Sequence, residues 1–208
     1  DVIDLWQLHA LDSEQDVDAR LAAGVLGYAL RAREEGKIRF IGFTGHTSPY
    51  ALRRMLERTA GAHDLFAACQ FPINPVDAAS EHSFVATVIP AAGQRGLGIL
   101  AMKTLAHGRF FGTSGVGEQA AWSAKLPVIP HAANVEECIR FALSMPVSVL
   151  TTGAENPEFI RDKAELVCSF ASLSAQQWQD LAARAARFAI DGQVESYKGR
   201  SFQPGDNR

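Results

Sequence analysis

Short apolar runs alternate along this chain with longer stretches whose apolar residues recur every three or four positions. Residues 2–9 (VIDLWQLH) are apolar and partly alternating, which predicts a buried strand. Over 24–35, Val25, Tyr28, Ala29 and Ala32 stand at helical spacing, with Gly36 as a C-terminal stop. Residues 38–44 (IRFIGFT) predict a second strand. Ser48 followed by Pro49 has the form of a helix start, with Leu52, Met55 and Leu56 as the apolar stripe. A third strand is predicted at 66–71 (FAACQF), a helix carrying Pro90 at 83–92, and a fourth strand at 97–102 (LGILAM). Residues 135–145 place Cys138, Phe141, Ala142 and Met145 on one helical face, 147–150 (VSVL) predict a fifth strand, and 156–167 a further helix. Ser174 and Gln177 fit a capping box, and Leu173 with Trp178 a hydrophobic staple around it. The run Trp178, Leu181, Ala182, Ala185, Phe188 and Ala189 then continues at helical spacing to Gly192. The Gly-rich stretch 106–130 reads as a long surface loop, and the polar tail from Tyr197 as loosely ordered.

Five strands alternating with helices imply an α/β fold with a parallel sheet covered on its faces. No G-x-G-x-x-G follows any strand, which counts against a doubly wound dinucleotide fold. Polar residues instead stand at the ends of successive strands: His9, Thr44 with His46, Gln70, Lys103 and Thr151. That is the pattern of a (β/α)8 TIM barrel, whose βα loops build the site at one face. A closed barrel runs to about 250 residues, near 30 per unit. This chain therefore supplies about five βα units plus a C-terminal helix, and about three units, roughly 90 residues, are expected ahead of its first strand. Residues 1–208 read as a single domain.

Composition narrows the picture further. The 208 residues are 47 % apolar and 21 % charged, so a packed core is expected and disorder is excluded as the dominant state. No apolar run approaches the roughly 18 residues of a membrane span. The start, DVIDLWQLHA, carries acids where a signal peptide carries bases, which points to a cytoplasmic protein. A net charge of −3 offers no footprint for nucleic acid. Cys69, Cys138 and Cys168 lie far apart with no C-x-x-C, so neither a disulfide framework nor a metal cluster is suggested. A metal-dependent hydrolase on a barrel would use His9 and His46, but no H-x-H pair or bridging lysine and aspartate accompanies them. No metal is expected.

The blocks DLWQLH, GKIRFIGFTGH, CQFPIN followed by Asp77, GILAMKTLAHG and MPVSVLTTGAENPE stand in a telling order and spacing. Together they resemble the C-terminal two-thirds of an aldo-keto reductase, from the fourth barrel strand onward, in a GFTGH-type bacterial branch. GKIRFIGFTGHTSP is the most specific piece, and the resemblance runs from Asp1 to about Lys198. It implies an oxidoreductase barrel that binds NADP(H) or NAD(H) at its C-terminal mouth and transfers hydride to a small-molecule aldehyde or ketone. It also implies that residues 2–9 form the fourth barrel strand, in agreement with the length arithmetic.

On this resemblance His9 takes the place of the family's catalytic histidine, which orients the carbonyl beside a proton-donating tyrosine. The chemistry needs a donor there, because negative charge develops on the carbonyl oxygen as hydride arrives. Gln70 takes the place of the glutamine that hydrogen-bonds the nicotinamide carboxamide; Thr44 and Gly45 take that of a Ser-Asn pair, and Gly45 lacks the amide. His46 lines the substrate pocket or partners the next helix N-terminus. Met102 falls where family members stack an aromatic ring on the nicotinamide; a thioether can cover a ring face, or simply pack the barrel. Lys103 meets a cofactor phosphate or a solvated ion-pair partner, and Leu105 packs near the pyrophosphate. Thr152, Gly153 and Ala154 follow the last strand, where a helix N-terminus receives the adenosine phosphate. Gly153 and Phe159 stand where NADPH-specific members carry lysine and arginine, which leaves the choice between NADH and NADPH open. Asp162 falls near the adenine with Lys163 beside it, or both belong to an exposed helix face.

The family's catalytic aspartate, tyrosine and lysine belong to the first three units, and neither Tyr28 nor Tyr197 is placed to substitute. Two expectations follow: part of a longer carbonyl reductase, or a catalytically inactive truncated relative acting as a nucleotide-binding or regulatory module. Five strands leave the first and last with open edges, so association with another copy is also expected.

Overall fold

The structure is a computed structural model describing residues 1–62, 64–111, 127–129, 132–154, 156–190, 192 and 194–198. In chain order the elements begin β1 (Ile3–Leu8), α1 (Glu14–Ala22), α2 (Val25–Glu34), β2 (Ile38–Thr44), α3 (Pro49–Arg58) and β3 (Ala68–Pro72). They continue with α4 (Pro75–Ala79), α5 (Phe84–Gln94), β4 (Gly98–Met102), a 3-10 turn (Ala106–Phe111), β5 (Pro127–Ile129) and β6 (Ala133–Asn134). The last are α6 (Val135–Leu143), β7 (Val149–Leu150), α7 (Pro157–Cys168), α8 (Ala175–Ala185) and 3-10 turns at Ala186–Phe188 and Ser196–Lys198. This is the α/β alternation with a parallel sheet that the sequence predicts. The described residues divide into two compact units: 1–71, 82–100 and 197–198, and the described part of 72–81 and 101–196.

In the first unit β1, β2, β3 and β4 lie side by side in that order. β1 runs parallel to β2 from Ile3 opposite Ile38 to Leu8 opposite Phe43, and β2 parallel to β3 from Gly42 opposite Ala68 to Thr44 opposite Gln70. Alternation along β2 sends Ile41 and Phe43 into the core, where Phe43 meets Phe66 edge-on with ring centroids 4.8 Å apart. The α3 stripe Leu52, Met55 and Leu56 is buried as its spacing predicts, although the Ser48 hydroxyl makes no capping bond. Gly36 ends α2 in the left-handed conformation (φ 70°), with Gly36 N–H donating to the Arg33 carbonyl and Lys37 N–H to that of Ala32. The sequence pattern does not announce α1. Ser13 caps it by accepting from the Asp16 N–H, but its apolar stripe is thin, with Val17 alone fully buried.

In the second unit β7 lies beside the end of β4, where the Thr151 N–H donates to the Ala101 carbonyl at 2.8 Å. α4 is a short helix absent from the sequence reading; Asn74 caps it, accepting from the Val76 and Asp77 N–H groups. Capping boxes start both α6 (Asn134 with Glu137) and α8 (Ser174 with Gln177), and Phe141 of α6 stacks on Trp178 of α8 at 5.1 Å. α8 gives way to a 3-10 turn after Ala185, short of the Gly192 stop.

The stretch read as a surface loop is anchored instead. Ala106 and Phe110 are buried at its start and Ile129 at its end, because large apolar side chains recover free energy by leaving water. Residues 112–126, 130 and 131 of that stretch lie outside the described residues. Of the tail from Tyr197, the described residues are Tyr197, half-buried, and Lys198, buried. Among the described residues no helix is long and apolar enough to cross a membrane.

Candidate active site

β1 ends at Leu8, and the exposed His9 opens the short connection that leads to α1. Ala10 adopts φ 51°, a left-handed conformation that costs a non-glycine residue about 1 kcal/mol. Several bonds hold it there. The Ala10 N–H donates to Thr44 Oγ1 (2.9 Å), and the Leu11 N–H to the Thr44 carbonyl (2.8 Å). From α1, Arg20 donates to the carbonyls of His9 (2.8 Å) and Ala10 (2.9 Å), while its Nε pairs with Asp16 Oδ1 at 2.8 Å. The buried Thr44 hydroxyl also lies 3.1 Å from His9 Nδ1. His46 approaches His9 edge-on, ring centroids 5.4 Å apart.

Beside this connection the side-chain amides of β1 and β3 meet. Gln7 Nε2 donates to Gln70 Oε1 at 3.0 Å. The strand between them carries Gly42, where a Cβ would lie 2.8 Å from the Ala68 carbonyl oxygen and 3.2 Å from Gln7 Cγ. Glycine makes room for the amide bridge. The Gly45 N–H donates to the Gln70 carbonyl (3.1 Å), and a Cβ on Gly45 would fall 2.0 Å from Leu52 Cδ1. The absent amide at position 45 is therefore a steric consequence of how Leu52 packs. Gln7 Oε1 is buried and finds no hydrogen-bond donor among the described residues.

In the second unit Met102 is buried, and its carbonyl accepts from the Ile73 N–H (3.0 Å). Lys103 follows at φ 52°, and partial burial lowers its ammonium pKa by disfavouring the charged form. Its carbonyl accepts from the Ala106 N–H (2.8 Å) and the Asn74 amide (3.4 Å). The same amide donates to Glu195 Oε1 at 2.9 Å, inside the fold. Leu105 is half-buried.

After β7, Thr152, Gly153 and Ala154 are exposed. Lys163 differs from the exposed-face alternative: it is buried, with its ammonium donating to Thr152 Oγ1 (2.9 Å) and to the Gly153 carbonyl. Asp162, its neighbour, is exposed.

Of the anticipated residues, the first unit joins His9 to Thr44 and Gly45 to Gln70. The second sets Met102 and Lys103 consecutively at the end of β4, and Gly153 with Ala154 in the loop after β7. Gln7, Arg20 and Asp16 were missed. Gln7 shares β1 with the polar Asp4, so nothing local set it apart, and nothing local marks Arg20. A cavity of about 800 Å³ in the first unit, lined by Leu26, Leu30, Arg33, Arg58 and Leu65 among others, holds none of the candidates. Among the described residues no group of three or more His, Cys, Asp or Glu side chains could hold a metal ion.

The sequence profile of the Aldo/keto reductase family matches residues 1–186. No curated protein matches the chain significantly. Among solved structures, the holo form of aldo-keto reductase AKR11C1 from Bacillus halodurans is similar with a TM-score of 0.62 at 16% sequence identity, covering 94% of this chain and 65% of that one. Its apo form is similar with a TM-score of 0.61 at 16% identity, covering 94% of this chain and 66% of that one. This chain thus spans about two-thirds of the length of those proteins, and its strands and helices follow their TIM-barrel order. With the family profile covering nearly all of its length, the chain belongs to the aldo/keto reductase family.

Proposed function

We propose that this chain carries the greater part of an NAD(P)H-dependent reductase of small aldehydes or ketones, with His9 as its catalytic residue. The observation that carries this reading is the contact between His9 Nδ1 and the buried Thr44 hydroxyl at the end of β1, which holds the ring in one orientation. A held imidazole can donate a hydrogen bond to a carbonyl oxygen as negative charge grows on it, an effect of about a hundredfold or more.

The residues fit a nicotinamide cofactor chemically. Gln70, its amide oriented by Gln7, would hold the carboxamide together with Thr44 and Gly45. Met102 would cover the ring, and Lys103 and Leu105 would meet the phosphates. Gly153 and Ala154, in the loop tied down by Lys163, would receive the adenosine end. The bound nicotinamide supplies the hydride. Lys103 would supply the cation for a phosphate, while the Lys163 ammonium is engaged by Thr152 Oγ1 and the Gly153 carbonyl; the cofactor is NADP(H) or NAD(H).

The test uses the full-length protein expressed from its own gene. Its intact mass is recorded first. NADPH and NADH are then titrated by fluorescence, and oxidation is followed with a panel of aldehydes and ketones. Binding of either cofactor with turnover is expected, and His9→Gln should lower kcat by about a hundredfold or more while cofactor still binds. Failure to bind both cofactors would overturn the proposal. Binding without turnover would favour a nucleotide-binding or regulatory module.

A further inference from the structure

We infer that Thr44 and Arg20 are positioning residues for His9: the Thr44 hydroxyl donates to Nδ1 and keeps the ring proton on Nε2, while Arg20, braced by Asp16, holds the connection that carries the ring. The inference rests on the reading of His9 as catalytic and adds what sets its tautomer and its place.

The tautomer follows from counting protons and lone pairs. A threonine hydroxyl has one proton to give and two lone pairs to offer. The Ala10 N–H, a donor only, occupies one lone pair of Thr44 Oγ1 at 2.9 Å. The other partner in reach is His9 Nδ1 at 3.1 Å. If Nδ1 carried the proton, two donors would converge on one oxygen, and the hydroxyl proton would be left without an acceptor on a buried residue. With Nδ1 bare, every group in the cluster is matched. A neutral imidazole then carries its proton on Nε2, the donor that a reacting carbonyl oxygen requires.

Arg20 acts on the backbone. Its Nε pairs with Asp16 Oδ1, and its two terminal nitrogens donate to the carbonyls of His9 and Ala10. Those carbonyls follow the α-carbons of His9 and of the left-handed Ala10, so the guanidinium stabilises a conformation that Ala10 would otherwise leave. Asp16 is itself fixed: its second oxygen accepts from the Asp12 N–H (3.2 Å), and its own N–H donates to Ser13 Oγ (3.0 Å). A helix start that the apolar pattern does not reveal therefore braces the connection that carries His9.

The experiment reads the two ring nitrogens of His9 by 15N NMR in protein labelled on histidine, without cofactor or substrate, at a pH where the ring is neutral. His9→Gln identifies its signals among the six histidines. The expected wild-type result is a bare Nδ1 and a protonated Nε2. Thr44→Val should raise the population of the other tautomer severalfold, and Thr44→Ser should restore the wild-type pattern. Arg20→Ala should split or broaden the His9 signals, and the milder Asp16→Asn should do so to a lesser degree with the fold retained. A protonated Nδ1 in the wild type, or a Thr44→Val spectrum matching the wild type, would overturn the role of Thr44. Sharp, unshifted signals in both Arg20→Ala and Asp16→Asn would overturn that of Arg20. A protein with the bare Nδ1 that reduces no carbonyl would sink the proposed reaction and leave this assignment standing.

Discussion

Gln7 and Gln70 join their side-chain amides at 3.0 Å across the strand that separates them. The bond engages Gln70 Oε1 as an acceptor and so determines which end of that amide is turned away from Gln7. Gln7→Leu removes the anchor while keeping the bulk of the side chain. We expect the cofactor KM to rise about fivefold, the equivalent of about 1 kcal/mol, with kcat nearly unchanged. Steady-state kinetics on the full-length protein would check this; a fall in kcat at constant KM would contradict it.

Gly42 lies on the strand between the two amides, with no room for a side chain. A methyl group there would press on the Ala68 carbonyl oxygen at 2.8 Å, Gln7 Cγ at 3.2 Å and Leu5 Cδ1 at 3.3 Å. Two of these are side chains and one is backbone held in the ladder, so only part of the crowding can relax. Gly42→Ala should destabilise the fold by about 2 kcal/mol in urea melts, with an unchanged slope.

At position 45 the obstacle is a single side chain together with one carbonyl. A Cβ would lie 2.0 Å from Leu52 Cδ1 and 3.1 Å from the Leu11 carbonyl oxygen. Gly45→Asn alone should therefore be poorly tolerated. Leu52→Ala, costly by itself, should relieve it, so a double-mutant cycle should show a favourable coupling of about 1 kcal/mol or more. Additive losses would mean that Leu52 is not what excludes a side chain.

The three cysteines should separate by reactivity. Burial pushes the Cys69 thiol from its ordinary 9.0 up to about 12, and burial followed by the Glu137 charge pushes Cys138 up as well; Cys168 is exposed. A thiol reagent near neutral pH should label Cys168 quickly and the other two only on unfolding. The linked pH effect has a definite sign. Between about 9 and about 12 the unfolded chain loses the Cys69 proton while the folded chain keeps it, so stability falls as pH rises through that window and is complete below it. Melts at rising alkaline pH, compared between wild type and Cys69→Ala, would isolate this contribution.

Much of the local architecture was legible in the chain itself. β2 occupies 38–44 as the sequence predicts, Gly36 stops α2 with positive φ, and the Ser174–Gln177 box starts α8. Each of these signals acts between residues a few positions apart, where propensity and capping chemistry decide the outcome. Two of the strand-end positions were legible for a related reason: His9 follows β1 directly and Thr44 closes β2, whereas Gln70, expected at the end of its strand, stands in the middle of β3, which continues to Pro72.

What only the tertiary structure decided are the pairings across distance. Gln7 meets Gln70 across 63 positions because the parallel register brings their strands to either side of a glycine. Arg20 reaches the His9 carbonyl because a helix with a thin apolar stripe folds back on the connection before it. Lys163 is buried because its ammonium finds the Thr152 hydroxyl and the Gly153 carbonyl, partners no helical periodicity could announce. Hydrogen-bond partners are chosen by proximity after packing, and packing is settled by the whole core; the sequence states which groups need partners, and the fold alone determines which ones they find.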